Sequence, residues 1–407
     1  MTSYGEGSDQ PWNPRRGRSG NERLLLDRLR TDGPASRAQL ARDTGLSKPT
    51  VSSALASLEL AGLARQAGTH SPERGRSAVL YAPDPTAGYA LGIDIGRSWL
   101  RVALADLDGT IVAGSEARNS ARSSGALVEL VVGTARHLVD TSGIEPHKLA
   151  HAVVGTPGVY DSVSRRVRFA QQLPGWDRAG LFDDIRAGLG VPLEIHNDAN
   201  LAALGEYTHG VGAGSRLFVY VMVGTGLGMG VVSEGRLFTG AHGGAGEIGF
   251  LPWPHASPAG SPAPPSAPDI AAAPGQMEAM VSGHAVVTTA RSLGMNHPAD
   301  AKEVFDAARE GDAAAARAVE EEARRLAYTV AVVASVLDPD LLVLGGGIGH
   351  SADLLLAPVH EHLRALTPLR VRLAAGALGD GAVLHGAVAT ALEAARDLTF
   401  DRKRPGG

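Results

Sequence analysis

A chain of 407 residues with 44% hydrophobic and 20% charged side chains has the composition of a globular protein with room for two or three cores. It has no cysteine, which excludes disulfides, thiolate metal sites and cysteine nucleophiles, and no apolar run near the ~20 residues of a membrane span. The net charge of −5 is divided unevenly: residues 1–85 carry 12 basic and 9 acidic side chains, a balance of +3, and the remainder is acidic.

Residues 1–19 include Arg15, Arg16 and Arg18 and lack the apolar core of a signal peptide. They read, like the tail after Phe400, as unstructured, on a cytoplasmic protein that makes no membrane contact. Asn21–Arg30 places Leu24, Leu25, Leu26 and Leu29 at helical spacing behind an Asn21 cap, and Gly33-Pro34 breaks the helix. Ser36 caps a second helix with Leu40 and Ala41 inward, and Gly45 supplies the backbone angle of the following turn. Ser47 caps a third helix, Lys48–Ala61, with Pro49 near its start, where a missing N–H costs little. Val51, Leu55 and Leu58 form its buried stripe. That leaves Ser47, Lys48, Thr50, Ser52 and Ser53 on the outer, N-terminal face, the part of a helix-turn-helix that meets base edges. Leu63–Gln66 and Ser77–Tyr81 read as a two-stranded wing, with Arg74 and Arg76 near its tip in reach of phosphate or the minor groove. A three-helix protein-interaction module shares this periodicity; the Ser47–Val51 start and the Arg-bearing wing favour DNA.

Further along, Tyr89–Gly96, Trp99–Ala105 and Asp108-Gly109 read as strand, tight turn, strand, turn. Leu217–Val223, Gly224-Thr225-Gly226-Leu227-Gly228, Met229–Val232 and Glu234-Gly235 repeat that arrangement. Either hairpin alone reads as a plain β-turn. The pair at matching positions reads as an internal duplication of the ribonuclease-H-like kind, which binds ATP between two lobes. Glycines there let backbone N–H groups approach phosphate, and Asp94 would orient Mg²⁺ and its waters. Between the hairpins, Glu194–Asn200 leads into a helix at Leu201–Tyr207. Asp198 at its start is either an ordinary cap or, in a cleft, the base that accepts a proton from a sugar hydroxyl attacking a γ-phosphate. Glu247, in the glycine loop Gly243–Gly249, is either a solvated carboxylate or an acceptor for sugar hydroxyls. Leu341–Leu344 running into Gly345-Gly346-Gly347 is a strand meeting a helix N-terminus, a place for adenosine or phosphate.

Six segments in order carry a resemblance: Asp94-Ile95-Gly96, Gly155-Thr156-Pro157-Gly158, His196-Asn197-Asp198-Ala199-Asn200, Gly224–Gly228, Gly246-Glu247-Ile248-Gly249, and Asp338-Pro339 with Gly345-Gly346-Gly347. Together they closely resemble the ROK family of repressors, open reading frames and kinases, over nearly the whole chain. Leu46–Leu63 resembles the recognition helix of MarR-like and ROK regulators. The resemblance implies an α/β chain, with a winged helix-turn-helix at 20–82 and a two-lobed actin-like, ribonuclease-H-like body at 88–398. One lobe would span 88–200 plus the C-terminal helix and the other 201–380, with a Pro/Ala-rich loop at 252–274. It also implies Asp198 as the catalytic Asp of the kinases, Asn197 and Glu247 as sugar contacts, and Gly158 on the sugar-side loop. Asp94, Gly96, Arg97, Ser98, Thr225, Gly226, Gly228 and Gly346 would surround nucleotide phosphates.

The departures from the family pattern carry information of their own. Where the family has a zinc-binding His followed by three Cys, this chain has Phe250, then Gln276 at the last Cys position before Met277-Glu278. His255 and Asp269 are too few for a tetrahedral site, so no structural zinc is expected. Arg97 replaces the second glycine of Asp-x-Gly-Gly-Thr, which weakens nucleotide binding without abolishing it; ATP–Mg²⁺ is an optional ligand and no cofactor is required. The expectation is a DNA-binding regulator, a repressor of carbohydrate uptake or metabolism genes. It would be a homodimer or homotetramer on a palindromic double-stranded operator, controlled by a sugar-like effector in the cleft. Two alternatives stand beside it. One is an ATP-dependent hexose kinase with a DNA-binding head. The other is a ligand-independent DNA-binding protein whose degenerate kinase body only dimerises.

Overall fold

The computed structural model describes residues 14–70, 77–168, 175–176, 178–254 and 275–404. Its first helix, α1 (Pro14–Asp32), starts upstream of the expected Asn21 cap, so residues 14–19 are helical and do not belong to an unstructured tail. Proline suits the first helical position, and the arginines that follow have good helix propensity. Strand β1 (Ala35–Ser36) leads into α2 (Arg37–Thr44), which opens on a capping box between Ser36 and Gln39 and ends at Gly45 with φ 71°. Helix α3 (Lys48–Leu60) is capped by Ser47, whose Oγ accepts the Thr50 N–H at 3.3 Å. Leu25, Leu26, Leu29, Leu40, Val51, Leu55 and Leu58 are buried together, whereas Leu24 faces out. The wing has three strands where two were expected. Strands β2 (Ala64–His70) and β3 (Ala78–Pro83) form the hairpin, and Ala35 and Ser36 pair with Tyr81 and Leu80 on its other side. A two-residue strand has no alternation to read in a sequence. The wing tip, with Arg74 and Arg76, lies outside the described residues.

In the first lobe β4 (Tyr89–Ile95), β5 (Trp99–Asp106) and β6 (Ile111–Arg118) form an antiparallel meander, followed by α4 (Ser124–Thr141) and β7 (Leu149–Thr156). A small hairpin, β8 (Val159–Asp161) and β9 (Arg166–Arg168), precedes α5 (Leu181–Leu189) and β10 (Leu193–Asn197). Strand β7 runs parallel to β4, and β10 parallel to β7. Every residue of β4 and β7 is buried, as a strand covered on both faces requires. Helix α6 (Asp198–His209) then crosses to the second lobe. There β11 (Leu217–Val223), β12 (Leu227–Ser233) and β13 (Arg236–Leu237) form a second meander. Helices α7 (Gln276–Val281), α8 (Gly283–Ser292), α9 (Ala301–Arg309) and α10 (Ala313–Leu337) precede β14 (Leu341–Gly345). The short α11 (Gly346–Gly349) and α12 (Ala352–Leu366) lead to β15 (Leu373–Ala375). The sheet orders are β10-β7-β4-β5-β6 and β13-β12-β11-β14-β15, one topology twice, so the duplication extends from the two hairpins to the whole lobes.

The last helix, α13 (Ala382–Lys403), returns to the first lobe's sheet, where Gly92 and Gly155 leave room for Val388 and Val383. Helix α6 covers the second sheet in the same way, with Ala199 and Ala203 over Gly228 and Gly230. The two helices cross at Gly205 and Gly386. A Cβ on Gly386 would overlap the Leu201 carbonyl oxygen, and one on Gly205 would overlap that of Ala382.

The far end of α13 reaches the head. The chain after Phe400 was expected to be unstructured, yet the helix runs on to Lys403 because its last residues find partners there. Arg404 donates to Glu22 Oε1 and to Ser57 Oγ, both at 2.7 Å, and Lys403 Nζ donates to the Gly62 carbonyl at 3.2 Å. Arg23 pairs with Asp397 and Asp401 at 3.1 Å, its guanidinium 5.0 Å from the centre of the Phe400 ring. One apolar cluster therefore runs from Leu25 and Leu55 through Phe400 and Ala395 to Leu201 and Tyr220 between the lobes. Among the described residues no helix is long and apolar enough to cross a membrane.

Candidate functional site

The lobes enclose a cleft of about 450 Å³. The turn after β4 brings Asp94, Gly96, Arg97 and Ser98 to it, and the turn after β7 brings Gly158, held at φ 82°. The β10–α6 junction contributes Asn197 and Asp198, and the β11–β12 turn contributes Thr225, Gly226 and Gly228. Glu247 comes from the glycine loop and Gly346 from the end of β14. Every residue that the sequence placed on a sugar or on phosphates meets in this one cleft.

Local hydrogen bonds fix the side formed by Gly158, Asn197 and Asp198. Asn197, not Asp198, caps α6: its Oδ1 accepts the Asn200 N–H at 3.1 Å, while its Nδ2 donates to the Gly158 carbonyl at 3.1 Å. The Gly158 loop is thereby tied to the helix start. Asp198 Oδ1 accepts the Ala199 N–H at 2.8 Å. Burial pushes the Asp198 carboxyl up to about 6, against the pull of that N–H. Burial, and then the charges of Asp198 and Glu278, push Glu247 up to about 7. Asp94 also rises to about 7, through burial first and Asp198 second, with the Arg101 guanidinium opposing.

Four polar side chains of this cleft are given no role there by the sequence reading. Arg101 reaches in from β5 and Asp380 from the turn before α13, their Nη2 and Oδ2 atoms 3.2 Å apart. Glu278 Oε2 accepts the Leu227 N–H at 3.1 Å, and the Tyr220 hydroxyl accepts the Gly346 N–H at 3.1 Å. In the sequence Glu278 marks only the end of the altered loop pattern, and the other three have no local motif; only the folded chain brings each to its partner. Phe250 lines the cleft where the family has its His, and Gln276 accepts the Trp253 N–H at 3.0 Å across the base of the loop. Among the described residues no group of three or more His, Cys, Asp or Glu could hold a metal ion. His255, Asp269 and most of the 252–274 loop lie outside the described residues.

On the head, Ser47, Lys48 and Ser53 are exposed, and Thr50 and Ser52 are half-buried. The Ser47 and Thr50 hydroxyls lie 2.8 Å apart and serve the helix start, which leaves Lys48 and Ser53 as the outward groups of that face.

The raised carboxyls predict a pH dependence. A carboxyl whose pKa is higher folded than unfolded keeps its proton longer in the folded state, so the folded chain binds more protons between about pH 4 and pH 7. Stability then falls as pH rises through that window. A tenfold difference in proton affinity between the folded and unfolded chain is worth ~1.4 kcal/mol, and partial solvent access reduces the combined loss for Asp198 and Glu247 to about 3 kcal/mol between pH 5 and pH 8. Urea unfolding at several pH values checks this, and the double variant Asp198→Asn, Glu247→Gln should flatten the slope. An equally steep slope in that variant would contradict the assignment.

A three-strand winged head seated on a duplicated two-lobed body, with a carboxylate-lined cleft between the lobes, defines a winged-helix protein built on a sugar-kinase fold. Residues 90–394 match the ROK family and residues 10–68 the DprA winged helix domain. The chain belongs to the ROK family. It is 30% identical over 231 residues to the xylose repressor of Bacillus subtilis, a stretch covering 57% of this chain and 60% of the repressor. The match thus spans less than two thirds of that relative's length. The structure is similar to that of a ROK family glucokinase from Streptomyces griseus in complex with glucose and AMPPNP. That similarity has a TM-score of 0.63 and 26% identity, over 75% of this chain and 100% of the other. It is also similar to a ROK family transcriptional regulator, a homolog of the E. coli MLC protein, with a TM-score of 0.72 over 97% and 100% of the two chains. At 21% identity this second likeness speaks for the fold alone.

Proposed function

We propose that the protein is a sugar-responsive transcriptional repressor acting in the cytoplasm on genes of carbohydrate uptake or metabolism. The observation that carries this reading is α13: Ala382 and Val383 at one end wall the cleft, and Arg404 just past the other end holds Glu22 and Ser57 of the head. Any ligand that favours one lobe arrangement then has a rigid element through which to bias the head, which is the physical requirement for coupling two sites. The likeness to a xylose repressor supports the same reading. Asp198, Glu247 and Asn197 offer hydrogen-bond acceptors suited to the hydroxyls of a neutral sugar, and the excess of carboxylates disfavours a sugar phosphate. Two heads in a homodimer, or four in a homotetramer, would read a palindromic operator.

Operator binding measured by fluorescence anisotropy, with and without aldoses, tests the proposal. One class of sugar should release the DNA. In the same assay Lys48→Ala should weaken operator binding and lower the slope of log K against log salt by about 1, and Arg76→Ala should do the same. Operator binding indifferent to every sugar would favour the scaffold reading, and unchanged binding in both variants would remove the recognition assignment.

A second reading, an ATP-dependent hexose kinase with a DNA-binding head, draws support from Asp198 in the cleft and from the likeness to a glucokinase. ATP consumption across hexoses, abolished in Asp198→Asn, would establish it.

A further inference from the structure

Asp94 is the carboxylate that the sequence assigns to Mg²⁺ on a nucleotide, and in the structure it already faces a cation. The Arg101 side chain is 19% exposed, with Nη1 3.5 Å from Asp94 Oδ2. Its Nη2 lies 3.2 Å from Asp380 Oδ2 and 3.4 Å from Glu116 Oε1. One guanidinium thus serves carboxylates from β4, from β6 and from the turn that opens α13. A planar, permanently charged group held between carboxylates is preorganised, and its positive charge offsets part of the attraction that Asp94, Glu116 and Asp380 together offer a second cation.

Three backbone donors on that side of the cleft are engaged as well. The Gly346 N–H is held by the Tyr220 hydroxyl, and the Leu227 N–H in the glycine turn is held by Glu278. The Gly224 N–H turns back to the Gly226 carbonyl at 3.0 Å. A backbone donor satisfied inside the protein is not on offer to a ligand. At the β4–β5 turn, Arg97 replaces a family glycine and lines the cleft. These contacts all oppose a Mg²⁺-nucleotide in this half of the cleft.

We propose that Arg101 is the resident cation of the cleft and its specificity determinant. It takes the place of a nucleotide-bound divalent ion at Asp94 and bridges that carboxylate to Asp380, so that the cleft admits a neutral sugar and excludes a metal-bound nucleotide. The proposal rests on the effector reading of the cleft and is independent of what the head binds.

Isothermal titration calorimetry on the full chain tests it with two probes, MnCl₂ alone and Mg²⁺–AMPPNP. The wild type should bind neither saturably up to millimolar concentration. Arg101→Ala and Arg101→Gln should each gain Mn²⁺ binding at least tenfold tighter, and adding Asp94→Asn to either should remove the gain. Arg101→Gln retains much of the side chain's reach and carries the test if the Ala variant fails to fold. A sugar-induced thermal shift of the wild type is read separately and reports on the effector reading alone. Saturable, Asp94-dependent metal or nucleotide binding by the wild type, or no gain in either variant, overturns the proposal.

Discussion

Replacing Gly386 with Ala is expected to destabilise the protein, and replacing it with Val to do so by at least ~3 kcal/mol, the upper range for overpacking a tight contact. The sign is informative because two effects oppose each other. At an exposed position inside a helix, Gly→Ala stabilises by up to ~1 kcal/mol through propensity. At Gly386 the added carbon would overlap the Leu201 carbonyl oxygen, and Gly205 faces Ala382 under the same constraint on the partner helix. A backbone oxygen cannot turn aside as a side chain can, so the helices must separate, and with them the layer between the two sheets. Urea denaturation of the wild type, Gly386→Ala and Gly386→Val checks this. An Ala variant more stable than the wild type would mean that the crossing has room the structure does not show.

Arg404→Ala should be the second large effect. Glu22 is 2% exposed, its Oε2 has no hydrogen-bond partner, and its Oε1 is held by Arg404 at 2.7 Å. Removing one member of a buried pair leaves an uncompensated charge, which costs ~3–5 kcal/mol. The Arg404 side chain is 29% exposed, so water can enter behind it and the expected loss is nearer 2–3 kcal/mol. The control is Glu22→Gln in the Arg404→Ala background, which removes the charge and should recover most of the loss. If the single variant loses nothing, or the double variant recovers nothing, the pair does not hold the head in place. Thermal unfolding reads the stability. Operator titration with and without sugar shows whether the head still responds once its seat is loosened.

What the sequence disclosed and what it hid divide along contact range. Ser36, Gly45, Ser47 and the glycine turns act within a few residues of themselves, so the capped helices and the paired hairpins were legible. His196–Asn200 fixed the β10–α6 junction for the same reason. Arg101 and Asp380 stand 279 positions apart, and neither is unusual in its own neighbourhood. The same holds for Glu278, whose role depends on the Leu227 N–H. The expected unstructured tail after Phe400 failed for a related cause: a short polar segment reads as loop unless its partners are known, and here Glu22 and Ser57 belong to the opposite end of the chain.

That closure of the two chain ends has a consequence for biosynthesis. Lys403 meets the Gly62 carbonyl across 341 positions of sequence. At translation rates of about 5–20 residues per second, the head is made some tens of seconds before the segment that seats it. Throughout that interval Glu22 lacks its guanidinium and Phe400 is not yet there to cover the face beside Arg23. The seat between head and body therefore forms only once Lys403 and Arg404 have been made, and a chain that stops short of Arg404 has the sequence of both halves without the joint between them.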